Sequence, residues 1–121
     1  MKLIYNMRKT EEPNVAVVMA LKGCLDSETA PEFGKVMDLL LGRHRCPLIV
    51  DMANVVYISS AGWREFVTKT EDIIERRINI RIAGMQPTVR DVFELIGLDH
   101  VYETHETVEE AVEALKASSP S

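Results

Sequence analysis

The residues best placed to do chemistry lie in one run, Ser59-Ser60-Ala61-Gly62-Trp63-Arg64. Two hydroxyls beside two small residues, set between a strand and a helix, can cap free helix amides or accept a phosphate. Capping is a frequent role of serine and needs no further function. Ala61 and Gly62 add something more, because they let a partner approach the backbone closely, at a helix start whose free amides and dipole favour an added phosphate. Trp63 reads equally as core packing or as an interface anchor. Nucleophilic catalysis has little behind it. The run lacks the flanking glycines of a GxSxG elbow, and His44, His100 and His105 are scattered, so neither a base nor an oxyanion donor is identifiable. No catalytic residue is assigned.

The remaining chemistry-bearing residues have plainer readings. Cys24 and Cys46 form no CxxC, and no histidine stands at ligand spacing, so reduced thiols are expected and no metal site. No GxxxxGK[ST] or GxGxxG occurs, and no cofactor is expected. Glu71, Asp72 and Glu75 alternate with Arg76 and Arg77 as a solvated helix face would. Asp51, expected to end an apolar strand, reads as a cap or a turn with Asn54. The chain has 121 residues, 46% of them hydrophobic, which suits one core. Its net charge of −5, with Arg43-His44-Arg45 the longest basic run, argues against nucleic acid and anionic membrane as partners. Neither a signal-peptide core nor a stretch of membrane-spanning length is visible, so a cytoplasmic protein is expected.

The turn must be positioned by what flanks it. Leu48-Ile49-Val50 and Val55 to Ile58 read as strand, and Trp63, Phe66, Val67, Thr70, Ile73 and Ile74 keep helical spacing behind it. Upstream, residues 2–10 suit an edge strand closed by a turn at 11–14, and Val15 to Leu21 a strand covered on both faces. Gly23 to Asp26 breaks that run. Asp26 to Pro31 then starts a helix carrying Phe33, Val36, Met37, Leu40 and Leu41, closed by Gly42 with Arg43 to Arg45. Downstream, Ile78, Ile80 and Ile82 alternate as a half-exposed strand, and Thr88 with Asp91 caps a helix that Gly97 ends. A short edge strand is expected near Val101 and Tyr102, and Thr107 with Glu110 is a capping box for a last helix. Strands alternating with helices call for crossovers, hence an α/β domain with a mixed, mainly parallel sheet of four to five strands and about four helices. Residues 1–116 form the domain, with 117–121 a flexible tail.

With these residues in view, the chain resembles the STAS domain family, and within it the bacterial anti-sigma factor antagonists. The resemblance runs through GCLDSETAPEF at 23–33, LIVDMANVVYISSAGWREF at 48–66 and INIRIAGMQPTVRDVFELIGLDHVYETHETVEEAVEAL at 78–115. It implies a non-catalytic regulator whose signature serine, here Ser60, is phosphorylated by an anti-sigma factor kinase of the GHKL type and restored by a phosphatase of the PPM type. Partner contact is then expected at Asp26, Ser59, Ser60, Ala61, Gly62, Trp63 and Arg64, and a homodimer stays open. Ser59 is the departure: many members carry an acidic residue there, and Ser59 becomes the alternative acceptor. The family's breadth supplies the alternative function, a STAS subunit of a membrane-transport or other signalling complex that binds partners without phosphorylation.

Overall fold

The computed structural model describes residues 4–10, 16–42 and 47–118. The expected turn at 11–14, the basic run at 43–45, Cys46 and residues 119–121 lie outside these. Five strands form one sheet in the order β1-β2-β3-β4-β5: Ile4–Lys9, Val17–Leu25, Leu48–Ile58, Ile80–Ala83 and Glu103–His105. β1 runs antiparallel to β2, and the other neighbours are parallel. Helices α1 (Ala30–Gly42), α2 (Ser60–Arg76) and α3 (Pro87–Leu95) make the crossovers, and α4 (Val108–Ser118) follows β5. The sheet is therefore mixed and mainly parallel, as expected of alternating strands and helices.

Strand alternation divides the interior. Met19, Leu21, Val50, Met52, Ile80 and Ile82 face α1, α2 and α3, while Val18, Ile49 and Ala83 face Val108, Ala111 and Leu115 of α4. β4 is not half exposed as its alternation suggested: α4 covers the second face, and Arg81 is its one partly open position. On the larger face an aromatic chain links the layers. Phe33 meets Phe66 at 5.2 Å between ring centroids, Trp63 meets Phe66 and Phe93, and Tyr102 closes on Phe66 at 5.8 Å. Pairs at such distances each contribute about 0.5–1.5 kcal/mol beyond area burial. Tyr102 Oη also donates to the Phe66 carbonyl at 2.9 Å, with burial pushing its pKa upward. That commitment to the core places the edge strand at Glu103–His105, just beyond the position expected near Val101 and Tyr102.

Two further elements differ from expectation for local reasons. β2 does not break at Gly23; with Gly23 at φ 113° it continues to Leu25. α3 is opened by Pro87 at its first turn, and Gln86, the residue before it, sends Nε2 to the Ala53 carbonyl at 3.2 Å instead of capping; Thr88 and Asp91 already lie inside the helix. The capping expected of α4 is present, with the Glu110 amide donating to Thr107 Oγ1 at 3.0 Å.

Candidate functional site

The turn between β3 and α2 is shaped by how β3 ends. Its pairing with β2 passes from Ala20↔Asp51 to Lys22↔Asn54 and from Gly23↔Val55 to Cys24↔Tyr57, so β3 twice carries one residue more than its partner. Each bulge turns the chain, which lets Met52, Val55 and Ile58 all be buried at a spacing of three. Asp51 consequently lies inside a continuous strand and does not end it; its Oδ1 accepts from the Ala53 amide at 3.1 Å within the first bulge. The second bulge leaves Val56 and Tyr57 about half exposed just before the turn.

The two serines then part company. Ser59 is the N-cap of α2, in extended backbone conformation, and its hydroxyl accepts from the Gly62 amide at 3.4 Å. Its own amide donates to the Leu25 carbonyl at 2.8 Å, tying the end of β3 to the end of β2. Ser60 is the first helical residue and is exposed, with no hydrogen bond to its hydroxyl among the described residues. The capping that either serine could supply is thus done by Ser59.

The Leu25–Ser59 link brings Asp26 to the same end of the sheet. Asp26 Oδ1 accepts from the amides of Glu28 at 3.0 Å and Thr29 at 3.2 Å, and Thr29 Oγ1 passes on to the Cys24 carbonyl at 2.9 Å. Those amide donors, Thr29 first, hold the Asp26 carboxyl below the usual carboxylate range. The carboxylate orders its own turn beside the serines.

Gly62 is buried, and the close approach that it permits is within the chain. A Cβ there would lie 2.8 Å from Leu25 O, Leu25 Cγ and Ile58 Cγ2. Trp63 is 8% exposed and packs in the aromatic chain, while its rim still reaches the surface. That surface is a shallow, mostly apolar groove of about 380 Å³, where Ser60, Trp63 and Arg64 meet Val67 and Ile96. Among the described residues no carboxylate or histidine lines it. Ala61 is partly buried, and Arg64 is exposed.

Val67 and Ile96 are the site residues that sequence reasoning missed. Val67 keeps the spacing of the buried face of α2, yet it is 48% exposed and lines the groove. Ile96 keeps the helical spacing of Val89 and Phe93 and so reads as a core position, yet it follows the last residue of α3 and is 43% exposed. Among the described residues no helix is long and apolar enough to cross a membrane.

A family model described as the STAS domain matches residues 6–111. Among curated proteins, BtrV of Bordetella bronchiseptica, described provisionally as an anti-sigma factor antagonist, is 23% identical over 104 residues. The match spans 86% of this chain and 90% of BtrV. Among solved structures, a Thermotoga maritima protein with the same provisional description has a TM-score of 0.80 at 20% identity, covering 93% of this chain and 94% of that one. SpoIIAA of Bacillus in its phosphorylated form has a TM-score of 0.67 at 18% identity, over 91% and 99% of the two chains. At these identities the structural likenesses concern the fold.

Proposed function

The chain belongs to the STAS domain family, and from that premise we propose that it is a non-catalytic partner-switching regulator, an anti-sigma factor antagonist controlled by phosphorylation of Ser60. The observation that carries this reading is the division of labour at the turn. Ser59 spends its hydroxyl on the helix cap, while Ser60 presents an unengaged hydroxyl beside an apolar groove. A kinase needs an accessible acceptor, and a docking partner needs apolar area next to it; Ser60 has both. Relatives described as anti-sigma factor antagonists, and the phosphorylated state known for SpoIIAA, support the same reading.

The physics of the switch follows from position. Unphosphorylated, the turn with Asp26 behind it and Arg64 beside it docks on a serine kinase of the GHKL type that also restrains a sigma factor. A phosphate at Ser60 brings about −1.5 to −2 charges into that contact, which desolvation and repulsion penalise. The partner is released, and a phosphatase of the PPM type resets the turn. Such a cycle belongs in the cytoplasm and acts on transcription. The domain proper, taken as 1–116, suffices for it, although α4 itself runs on to Ser118.

The test is to incubate the protein with the serine kinase encoded nearest its gene and ATP, then map phosphate by mass spectrometry. Phosphate at Ser60, lost in Ser60→Ala, is the expected result, together with at least about tenfold weaker kinase binding by Ser60→Asp. Phosphate at Ser59 alone would move the acceptor by one residue. Labelling of neither serine would overturn the phosphoswitch in favour of a STAS subunit that binds its complex without modification.

A further inference from the structure

We propose that Arg64 is the intramolecular counter-ion of a phosphate carried on Ser60. Phosphorylation would then both add an anion to the docking face and withdraw a cation from it; the inference rests on the reading of Ser60 given above. Ser60 and Arg64 stand four residues apart in α2, both exposed and both lining the groove beside Val67 and Ile96. Side chains at that spacing are neighbours on a helix surface, and an anion on the N-terminal side of the cation is the favourable order.

Arg64 is also uncommitted. Elsewhere in α2, Lys69 Nζ lies 3.0 Å from Asp38 and 3.4 Å from Glu65, and Arg76 Nη1 lies 3.0 Å from Asp72. Arg64 has no ion pair among the described residues, and the one carboxylate next to it in sequence, Glu65, is turned to Lys69 and packs over Gly34 of α1. The cap residue is neutral Ser59, so no acidic cap competes for the guanidinium. A guanidinium can meet two phosphate oxygens at once, which a single ammonium does less well. Ser59 does not share this arrangement. It lies outside the helix, five residues before Arg64, with its hydroxyl turned to the Gly62 amide. Arg64 therefore distinguishes the two serines by geometry.

A counter-ion favours the dianion, so the second pKa of the phosphate reads the pairing directly. The experiment installs phosphoserine at position 60 during synthesis by suppression of an amber codon, with no kinase needed, and titrates the phosphorus resonance by NMR. With Arg64 present, the second pKa is expected about half a unit lower than in Arg64→Gln. Arg64→Lys should recover part of that shift, and about 1 M salt should shrink it. Phosphoserine at position 59 should titrate alike with and without Arg64. Equal titrations at position 60 in the presence and absence of Arg64, or an equal dependence on Arg64 at position 59, would overturn the pairing. Because the phosphate is built in, such a failure leaves the kinase reading standing, whereas failure of kinase labelling overturns that reading and not this one.

Discussion

At the turn, one hydroxyl shapes the backbone and the next is left over, and the two serines should therefore fail differently when removed. Ser59→Ala deletes the cap of α2 and frees the Gly62 amide, which is expected to cost about 0.5–1 kcal/mol, the lower part of the range for caps because the bond is long. Ser60→Ala replaces an exposed first-turn residue with a good helix former and should change stability by less than about 0.5 kcal/mol. Urea unfolding of the two variants checks the contrast; equal losses would mean that the hydroxyls share the cap. Ser60→Ala is thus a clean tool, removing the proposed acceptor without loosening its helix. The run of small and hydroxyl residues was visible in the sequence as a cap or an acceptor, and the family resemblance pointed to Ser60 as the acceptor, but which serine caps the helix was not legible. That depended on the Leu25 carbonyl holding the Ser59 amide at 2.8 Å, a contact between segments far apart in the chain.

Among elements, the turn depends on β2, β3 and α2 being pressed together, and Gly62 is where the pressing is closest. A methyl at Gly62 would meet backbone as well as side chain, Leu25 O and Ile58 Cγ2 at 2.8 Å, so the first turn of α2 or the end of β2 would have to shift. Gly62→Ala is expected to destabilise by about 1–3 kcal/mol, as overpacking does, and to weaken partner binding because Ser60 moves with the turn. Thermal unfolding together with a kinase-binding titration measures both effects; an unchanged Tm would show that the helix yields freely. This also marks the limit of sequence reading. The order of strands and helices was legible because periodicity and caps are local signals, as at Thr107 and Glu110. The bulges of β3 were not, since they exist only in its register against β2. With them went the place of Asp51 inside the strand, and the burial of Gly62, whose smallness looked like access for a partner.

For the molecule as a whole, the sheet has a strong side and a weak one. β2 and β3 are long and covered, whereas β5 is a three-residue edge strand held by β4 and by the Gly84 amide donating to the His105 carbonyl at 3.0 Å. At that edge Arg81 Nη1 lies 3.0 Å from His105 Nε2. An arginine can only donate, so Nε2 accepts and the imidazole is neutral. Burial first, and Arg81 second, push the His105 pKa below its ordinary 6.5, while Glu103 and Glu110 oppose them. The folded state thus binds the proton more weakly than the unfolded chain. The resulting stability is present above about pH 6.5 and is lost as pH falls through the lower folded value. Acid should therefore loosen β5 and the packing of α4 on β4 before it reaches the aromatic chain around Phe66. The measurement is the urea midpoint followed from about pH 8 to about pH 5, with amide exchange at Thr104 and His105 as the local probe. His105→Gln, which keeps an acceptor but cannot take up the proton in this range, should flatten the decline; an identical slope in the variant would assign it to the carboxylates instead.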